Sequence, residues 1–79
     1  MVGKLKTANS YTGPLVVGDV YQSNYTDESV KVDSIYKDIK TGTWMSKLVY
    51  LSSATNKSPV NVVAYDFEKK INFGSWHKL

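Results

Sequence analysis

The chain has 79 residues and a net charge of +3, which arises from ten lysines, no arginine and seven acidic residues. Its length accommodates one domain, the absence of cysteine excludes a disulfide framework and a cysteine-based metal site, and no apolar run approaches the roughly 18 residues of a membrane span. Because no apolar signal-peptide core follows the first lysines, we expect no secretion signal and a cytoplasmic protein that binds no membrane.

The first fourteen residues are polar and rich in turn-forming residues. Lys4-Leu5-Lys6 is a candidate short strand, and Thr12-Gly13-Pro14 stops any regular element that precedes it. We predict that residues 1–14 form a flexible arm or an edge strand. Residues 15–79 are then expected to form a single small β-barrel domain.

Short apolar segments separated by turn signals predict a series of β-strands from residue 15 onwards. Residues 15–21 are β-rich and are interrupted at Gly18-Asp19, where we expect a bend or a bulge. Residues 29–36 alternate between apolar and polar side chains, which predicts a strand with Val30 and Val32 on one face.

The middle of the chain predicts a hairpin followed by a further strand. The alternation breaks at Ile35-Tyr36, which indicates a bulge or a strand end, and Gly42 is expected to adopt a positive φ in the hairpin turn. Residues 44–51 are apolar on both faces, which predicts a central strand covered on both sides or a bent one. A polar turn over residues 52–59 leads to a strand over residues 60–64.

The C-terminal part predicts one helical turn and a closing strand. Asp66 is a candidate cap for a turn that extends to Lys70 and places Phe67 and Ile71 on one face. The glycine that follows ends the turn, and residues 76–79 are expected to pair as a last short strand.

Together these elements predict a mainly β fold, which is a small, strongly bent antiparallel sheet or barrel of four to five strands with one short helical turn near the C-terminus. Closure of such a sheet removes the exposed strand edges that promote aggregation. The alternative is a three-stranded sheet packed by a longer helix from Ala64 to Phe73.

Three β segments and a set of aromatic residues near the end of the chain define an order of elements. They are Val17-Gly18-Asp19-Val20-Tyr21, Val30-Lys31-Val32 and Val49-Tyr50, followed by Phe67, Phe73 and Trp76. Over residues 17–79 this order resembles small phage-encoded proteins of SH3-like type. The resemblance implies an SH3-like β-barrel and a phage or mobile-element origin, and it implies no particular site residues.

Groups that could support catalysis are few. His77 is the single imidazole and has no orienting partner near it in the sequence. Asp27 and Glu28 are adjacent, so their side chains diverge, and no base is available to activate a serine or threonine. The glycines are isolated and form no phosphate-binding loop. We therefore expect no enzyme, no metal site and no cofactor.

The aromatic residues are the most informative candidates for binding. Four are interpreted as core residues: Trp44, Phe67, Phe73 and Trp76. Four others lie at predicted loops or strand ends, where a phenol can contact a partner protein or stack on an unpaired base: Tyr11, Tyr25, Tyr36 and Tyr65. The candidate partner-binding residues combine two of these tyrosines with neighbouring lysines: Tyr36 with Lys37 and Lys40, and Tyr65 with Lys69 and Lys70.

Two functions of different classes fit these observations. The first is a non-enzymatic binding module, a phage or mobile-element accessory protein that docks on a host or defence protein in the host cytoplasm and modulates or inhibits it. The alternative is a low-specificity barrel that binds DNA or RNA through lysine–phosphate contacts and aromatic stacking. The modest charge and the absence of arginine favour the first. A minor structural part of a virus particle is a third hypothesis.

Overall fold

The computed structural model describes residues 10–53 and 56–79, and in it five strands form one unclosed antiparallel sheet. The elements in chain order are β1 (Val20–Ser23), β2 (Ser29–Asp38), β3 (Thr43–Ser52), β4 (Val60–Val63), α1 (Ala64–Asn72) and β5 (Trp76–Lys78). The order across the sheet is β4-β3-β2-β1-β5, so α1 carries the chain from one edge of the sheet to the other. No helix in the described part of the chain is long and apolar enough to cross a membrane.

The mainly β class, the antiparallel sheet and the short C-terminal helix are confirmed. α1 is longer than the predicted turn over residues 66–70. It nearly matches the helix of the alternative prediction, from Ala64 to Phe73, but the three-stranded sheet of that alternative is wrong. Asp66 lies in the first turn and is not the cap, because β4 leads directly into α1 and Val63 takes the cap position without a side-chain bond. The resemblance to SH3-like phage proteins stays a prediction.

β1 begins at Val20, five residues later than the β-rich pattern predicts. A turn replaces the first part of the predicted strand: the Asp19 amide donates to the Val16 carbonyl, and Gly18 adopts a φ of 99°. The Gly18 amide also donates to the Val32 carbonyl at 2.8 Å, which fixes the turn against β2. Leu15 nevertheless reaches the core, where it is buried.

The β2–β3 hairpin forms as predicted, and its two irregularities lie earlier in β2 than expected. Gly42 has a φ of 72°, and its amide donates to the Asp38 carbonyl across the turn. The register shifts between Ser29 and Val30 and again between Val32 and Ser34. At the second shift the extra residue is Asp33 rather than a residue of the predicted pair Ile35-Tyr36. A bulge of this kind increases the local bend of a strand pair.

The core lies on one face of the sheet, beneath α1. The pairing register places Tyr21, Val30, Val32 and Leu48 on this face, and all four are buried. Phe67 of α1 closes the core, with its ring centroid 5.4 Å from that of Tyr21 and 5.7 Å from that of Trp76. α1 is the single helix of the described residues, so no second helix packs on the opposite face.

Phe73 is a correction to the predicted core. It follows the last residue of α1 and is 78% exposed, whereas Phe67 is 3% exposed. Six residues after Phe67, a side chain on a regular helix lies about 120° from the direction of Phe67. The other predicted core aromatics, Trp44 and Trp76, are partly buried against the core.

The difference in burial between Phe67 and Phe73 predicts a large loss of stability for one of two matched substitutions and almost none for the other. Phe67→Ala removes the ring that joins α1 to β1 and β5, and it should lower the free energy of unfolding by about 3–5 kcal/mol. Phe73→Ala should change it by less than about 0.5 kcal/mol, because the ring is mostly in water. Urea denaturation followed by circular dichroism measures both, and equal losses would contradict the placement of the two rings.

Candidate functional site: a groove between β3 and α1

A groove of about 550 Å³ opens between the start of β3 and the first turn of α1. This volume is within the range of pockets that bind ligands. Three aromatic side chains and two charged ones dominate the lining: Tyr11, Trp44, Tyr65, Lys37 and Glu68. The turn residues Gly42 and Thr43 complete one wall, and Ser10, Thr12 and Gly13 complete another.

The groove exists because β4 is shorter than the strand beside it. The last pair between these strands is Met45 with Val63, and the chain enters α1 at the next residue. Thr43 and Trp44 therefore have no partner in β4, and no strand within residues 10–53 and 56–79 covers the backbone edge there. In their place the N-terminal part of α1 stands across the gap and presents Tyr65 and Glu68.

Tyr11 fixes one wall of the groove. Its hydroxyl donates to the Glu68 carboxylate and accepts a hydrogen bond of 3.2 Å from the Leu15 amide. Its ring meets that of Trp44 edge to face, with centroids 6.0 Å apart. Tyr11 thus packs on the domain that the sequence assigns to residues 15–79. The first nine residues of the predicted arm lie outside the described residues.

The surroundings of Tyr11 favour its neutral form. Burial raises the pKa of Tyr11 to about 12, and the hydrogen bond to Glu68 acts in the same direction because a phenolate cannot donate it. The bond from the Leu15 amide opposes this shift. The wall of the groove therefore depends on a protonated phenol.

Two lysines lie against aromatic rings of the groove. The Nζ atom of Lys37 is 6.0 Å from the centroid of the Trp44 ring, and that of Lys69 is 5.4 Å from the centroid of the Tyr65 ring. Such contacts place positive charge over the negative face of a ring. Lys37 is part of the lining, and Lys69 is one helical turn beyond Tyr65.

The structure thus brings together three of the six sequence-predicted binding residues: Lys37, Tyr65 and Lys69. Tyr36 lies on the opposite face of the sheet, because neighbours in a strand point to opposite faces, and its hydroxyl donates to Oδ1 of Asn61 at 2.9 Å. Lys40 is exposed in the hairpin turn. Lys70 is exposed on α1 and lies about 140° around the helix from Tyr65.

Sequence reasoning missed Tyr11, Trp44 and Glu68 as residues of one site. The hairpin turn gives a signal for one of them, because strands joined at Gly42 bring Lys37 opposite Trp44. The contact between Tyr11 and Glu68 joins residues 57 positions apart, and neither residue stands in a local pattern that indicates the other.

A second polar cluster ties two loops together. The Glu28 carboxylate accepts hydrogen bonds from the Lys57 ammonium and the Ser53 hydroxyl, and Nζ of Lys57 lies 5.1 Å from the centroid of the Tyr50 ring. Lys57 lowers the pKa of Glu28, and Glu28 raises the pKa of Lys57. The cluster ties the loop that follows β3 to the loop before β2, and this gives it a structural role.

His77 also has a structural partner. Its Nδ1 atom pairs with Oδ1 of Asn24, whose side-chain amide donates to the Gly74 carbonyl at 2.7 Å.

Across residues 10–53 and 56–79, no cluster of three histidine or acidic side chains has the arrangement of a metal site. Comparison of the chain with protein-family models, curated proteins and solved structures gives no significant match. The aromatic groove is accordingly the candidate site.

The protonated state of Tyr11 predicts a loss of stability at alkaline pH. The folded-state pKa of Tyr11 lies above the ordinary value of about 10. The stability that Tyr11 contributes is therefore complete below pH 10 and is lost as the pH rises towards 12. Tyr11→Phe should lower the free energy of unfolding by about 1 kcal/mol at pH 8, and it should make that free energy fall less steeply with pH between pH 10 and 12.

Urea denaturation at several pH values measures this slope. Tyr25→Phe is the matched control. The ring of Tyr25 is 77% exposed, so the free energy of unfolding of this variant should depend on pH as it does in the wild type. Burial also raises the pKa of Tyr21, so part of the slope should remain in Tyr11→Phe. An unchanged slope in Tyr11→Phe would contradict the assigned role of the phenol.

Proposed function

We propose that the protein is a non-enzymatic binding module that holds an extended segment of a partner protein in the groove between β3 and α1. The observation that carries this proposal is the placement of three aromatic rings beside a strand edge that no strand of the described residues covers. Extended peptide segments bind in this way elsewhere, with main-chain bonds to a strand edge and side chains in adjoining pockets.

Tyr65 is the principal contact residue of the groove in this proposal. It lines the groove and is 65% exposed, while Phe67, two residues further along α1, fills the core. Tyrosine and tryptophan supply large, rigid contact areas and are over-represented among residues that dominate binding energies. A partner side chain placed between Tyr65 and Trp44 would bury both rings further.

The class of partner that we propose is a host or defence protein, which the module modulates or inhibits in the host cytoplasm. This assignment rests on the resemblance to small phage-encoded proteins of SH3-like type. The groove supports the binding mode, since a module that occupies a partner's segment blocks its other contacts without any catalytic group.

Binding of nucleic acid requires cations that converge on one surface. The described lysines are spread over the molecule: Lys57 pairs with Glu28, and Lys78 pairs with Asp19. Lys31 lies on the face of the sheet opposite Lys37, since it is the cross-strand partner of Val49. This distribution favours a protein partner.

Selection from a library of displayed random 12-residue peptides tests the proposal. Tyr65→Ala should weaken the binding of selected peptides at least tenfold in calorimetric titrations, because it removes one wall of the groove, and should shift Tm by less than about 2 °C. Tyr36→Ala is the matched control: this tyrosine is 38% exposed and lies on the opposite face, so binding should be unchanged. Failure to select any peptide that depends on Tyr65 would overturn the proposal.

A further inference from the structure

We propose that the groove recognises one uncharged anchor in the partner segment, an aromatic or large aliphatic side chain that enters between Trp44 and Tyr65. This inference rests on the proposed function and specifies the chemistry of the partner. Its basis is that the lining presents aromatic rings and no net charge, so the groove favours neither sign of charge in the partner.

The charges of the lining cancel. Among the described residues the lining contains one cation, Lys37, and one anion, Glu68. Lys69 contacts the ring of Tyr65 from outside the lining. A charged side chain of the partner would lose hydration in the groove, and it would meet attraction and repulsion of similar size there. An apolar side chain has no such cost and is stabilised by leaving water.

The carboxylate of Glu68 is directed into the groove wall. It accepts a hydrogen bond from the hydroxyl of Tyr11, and the backbone of Gly13 lies against this bond. A Cβ atom at Gly13 would lie 2.5 Å from Oε2 of Glu68 and 2.5 Å from Cζ of Tyr11, well inside the roughly 3.5 Å of an ordinary contact. Glycine therefore lets the chain cover the bond, and Glu68 serves the wall rather than the partner.

Lys37 approaches Trp44 from the side of β2. It is the cross-strand partner of Trp44, and its Nζ atom lies 6.0 Å from the centroid of the indole ring. Because β3 lies between β2 and β4, a segment added in line with β4 runs about 10 Å from the backbone of Lys37. On the core face, the β3 side chain nearest to such a segment is therefore the indole ring of Trp44.

Strand geometry gives the segment one position for its anchor. Residues opposite each other in an antiparallel pair have their side chains on the same face, with Cβ atoms about 5 Å apart. The residue opposite Trp44 therefore points to the face on which Tyr11 and Tyr65 line the groove. Its two neighbours point to the opposite face, away from the groove. The groove should accordingly be strict at one position of the segment and tolerant at the two positions beside it.

The rings around this position suit an aromatic or large aliphatic anchor. Tyr65 is 65% exposed, so an anchor that packs on its ring removes apolar surface from water. The rings of Tyr11 and Trp44 already meet edge to face. An aromatic anchor extends this packing, because ring pairs contribute energy beyond the area that they bury.

Substitutions in a peptide selected from the random library test this inference. At the anchor, alanine, lysine and glutamate should each weaken binding about tenfold or more in calorimetric titrations, because each removes the buried side chain. At the two neighbouring positions, lysine and glutamate should change the affinity by less than about threefold, because these side chains point away from the groove. The neighbouring positions are thus the matched control for the anchor.

The charge of the surroundings should have little influence on binding. Between about 0.05 and 0.5 M salt the affinity should change by less than about threefold, because the anchor makes no ion pair that salt could screen. Lys69→Glu should also retain the affinity within about threefold, because Lys69 lies outside the lining and exposed charges interact weakly. A steep fall of affinity with salt, or a preference for one sign of charge at the anchor, would overturn the uncharged anchor.

Failure of this inference is distinguishable from failure of the proposed function. Tyr65-dependent peptides without a dominant uncharged anchor would overturn the anchor and leave the groove as a protein-binding site. The absence of any Tyr65-dependent peptide would overturn both. Binding of an oligo(dT) strand that Tyr65→Ala abolishes would also overturn both, because the occupant would be nucleic acid. A dimer detected by light scattering and abolished by Tyr65→Ala would do the same in favour of a second copy of the chain.

Discussion

The packing of Phe67 against the sheet is the interaction on which the rest of the structure depends. α1 and residues 73–75 carry the chain between the opposite edges of a five-stranded sheet. The contacts of Phe67 with Tyr21 and Trp76 hold β1 and β5 against the helix. The path of α1 across the sheet and the packing of the core are therefore one arrangement.

The groove is a consequence of that arrangement. Because β4 gives way to α1 opposite Met45, the first two residues of β3 extend past their neighbour strand. The helix that buries Phe67 on one side presents Tyr65 and Glu68 on another, and Tyr11 lines the groove beside them by bonding to Glu68. Stability and binding thus rest on different residues of the same helical turn, so the two properties can be altered separately.

Local pattern predicted most of the fold and about half of the site. The alternation of apolar and polar residues in β2 and the spacing of Phe67 and Ile71 in α1 both reflect burial on one face. Phe67 lies in the core and Ile71 packs against it. The start of β1 was not predicted because the apolar residues before Gly18 form a turn. The exposure of Phe73 was not predicted because the helix ends before this residue. Lys37, Tyr65 and Lys69 were candidates from composition and neighbourhood, whereas the contact of Tyr11 with Glu68 depends on tertiary packing.

The central claim is that a partner segment lies between β3 and α1, and amide hydrogen exchange tests it most directly. The chain is measured free and saturated with a peptide taken from the random library. The account predicts that added protection is confined to the amides of residues 42–45 and 63–68, with residues 20, 31, 47 and 49 unchanged. Protection centred on those four residues, with residues 42–45 and 63–68 unaffected, would contradict it.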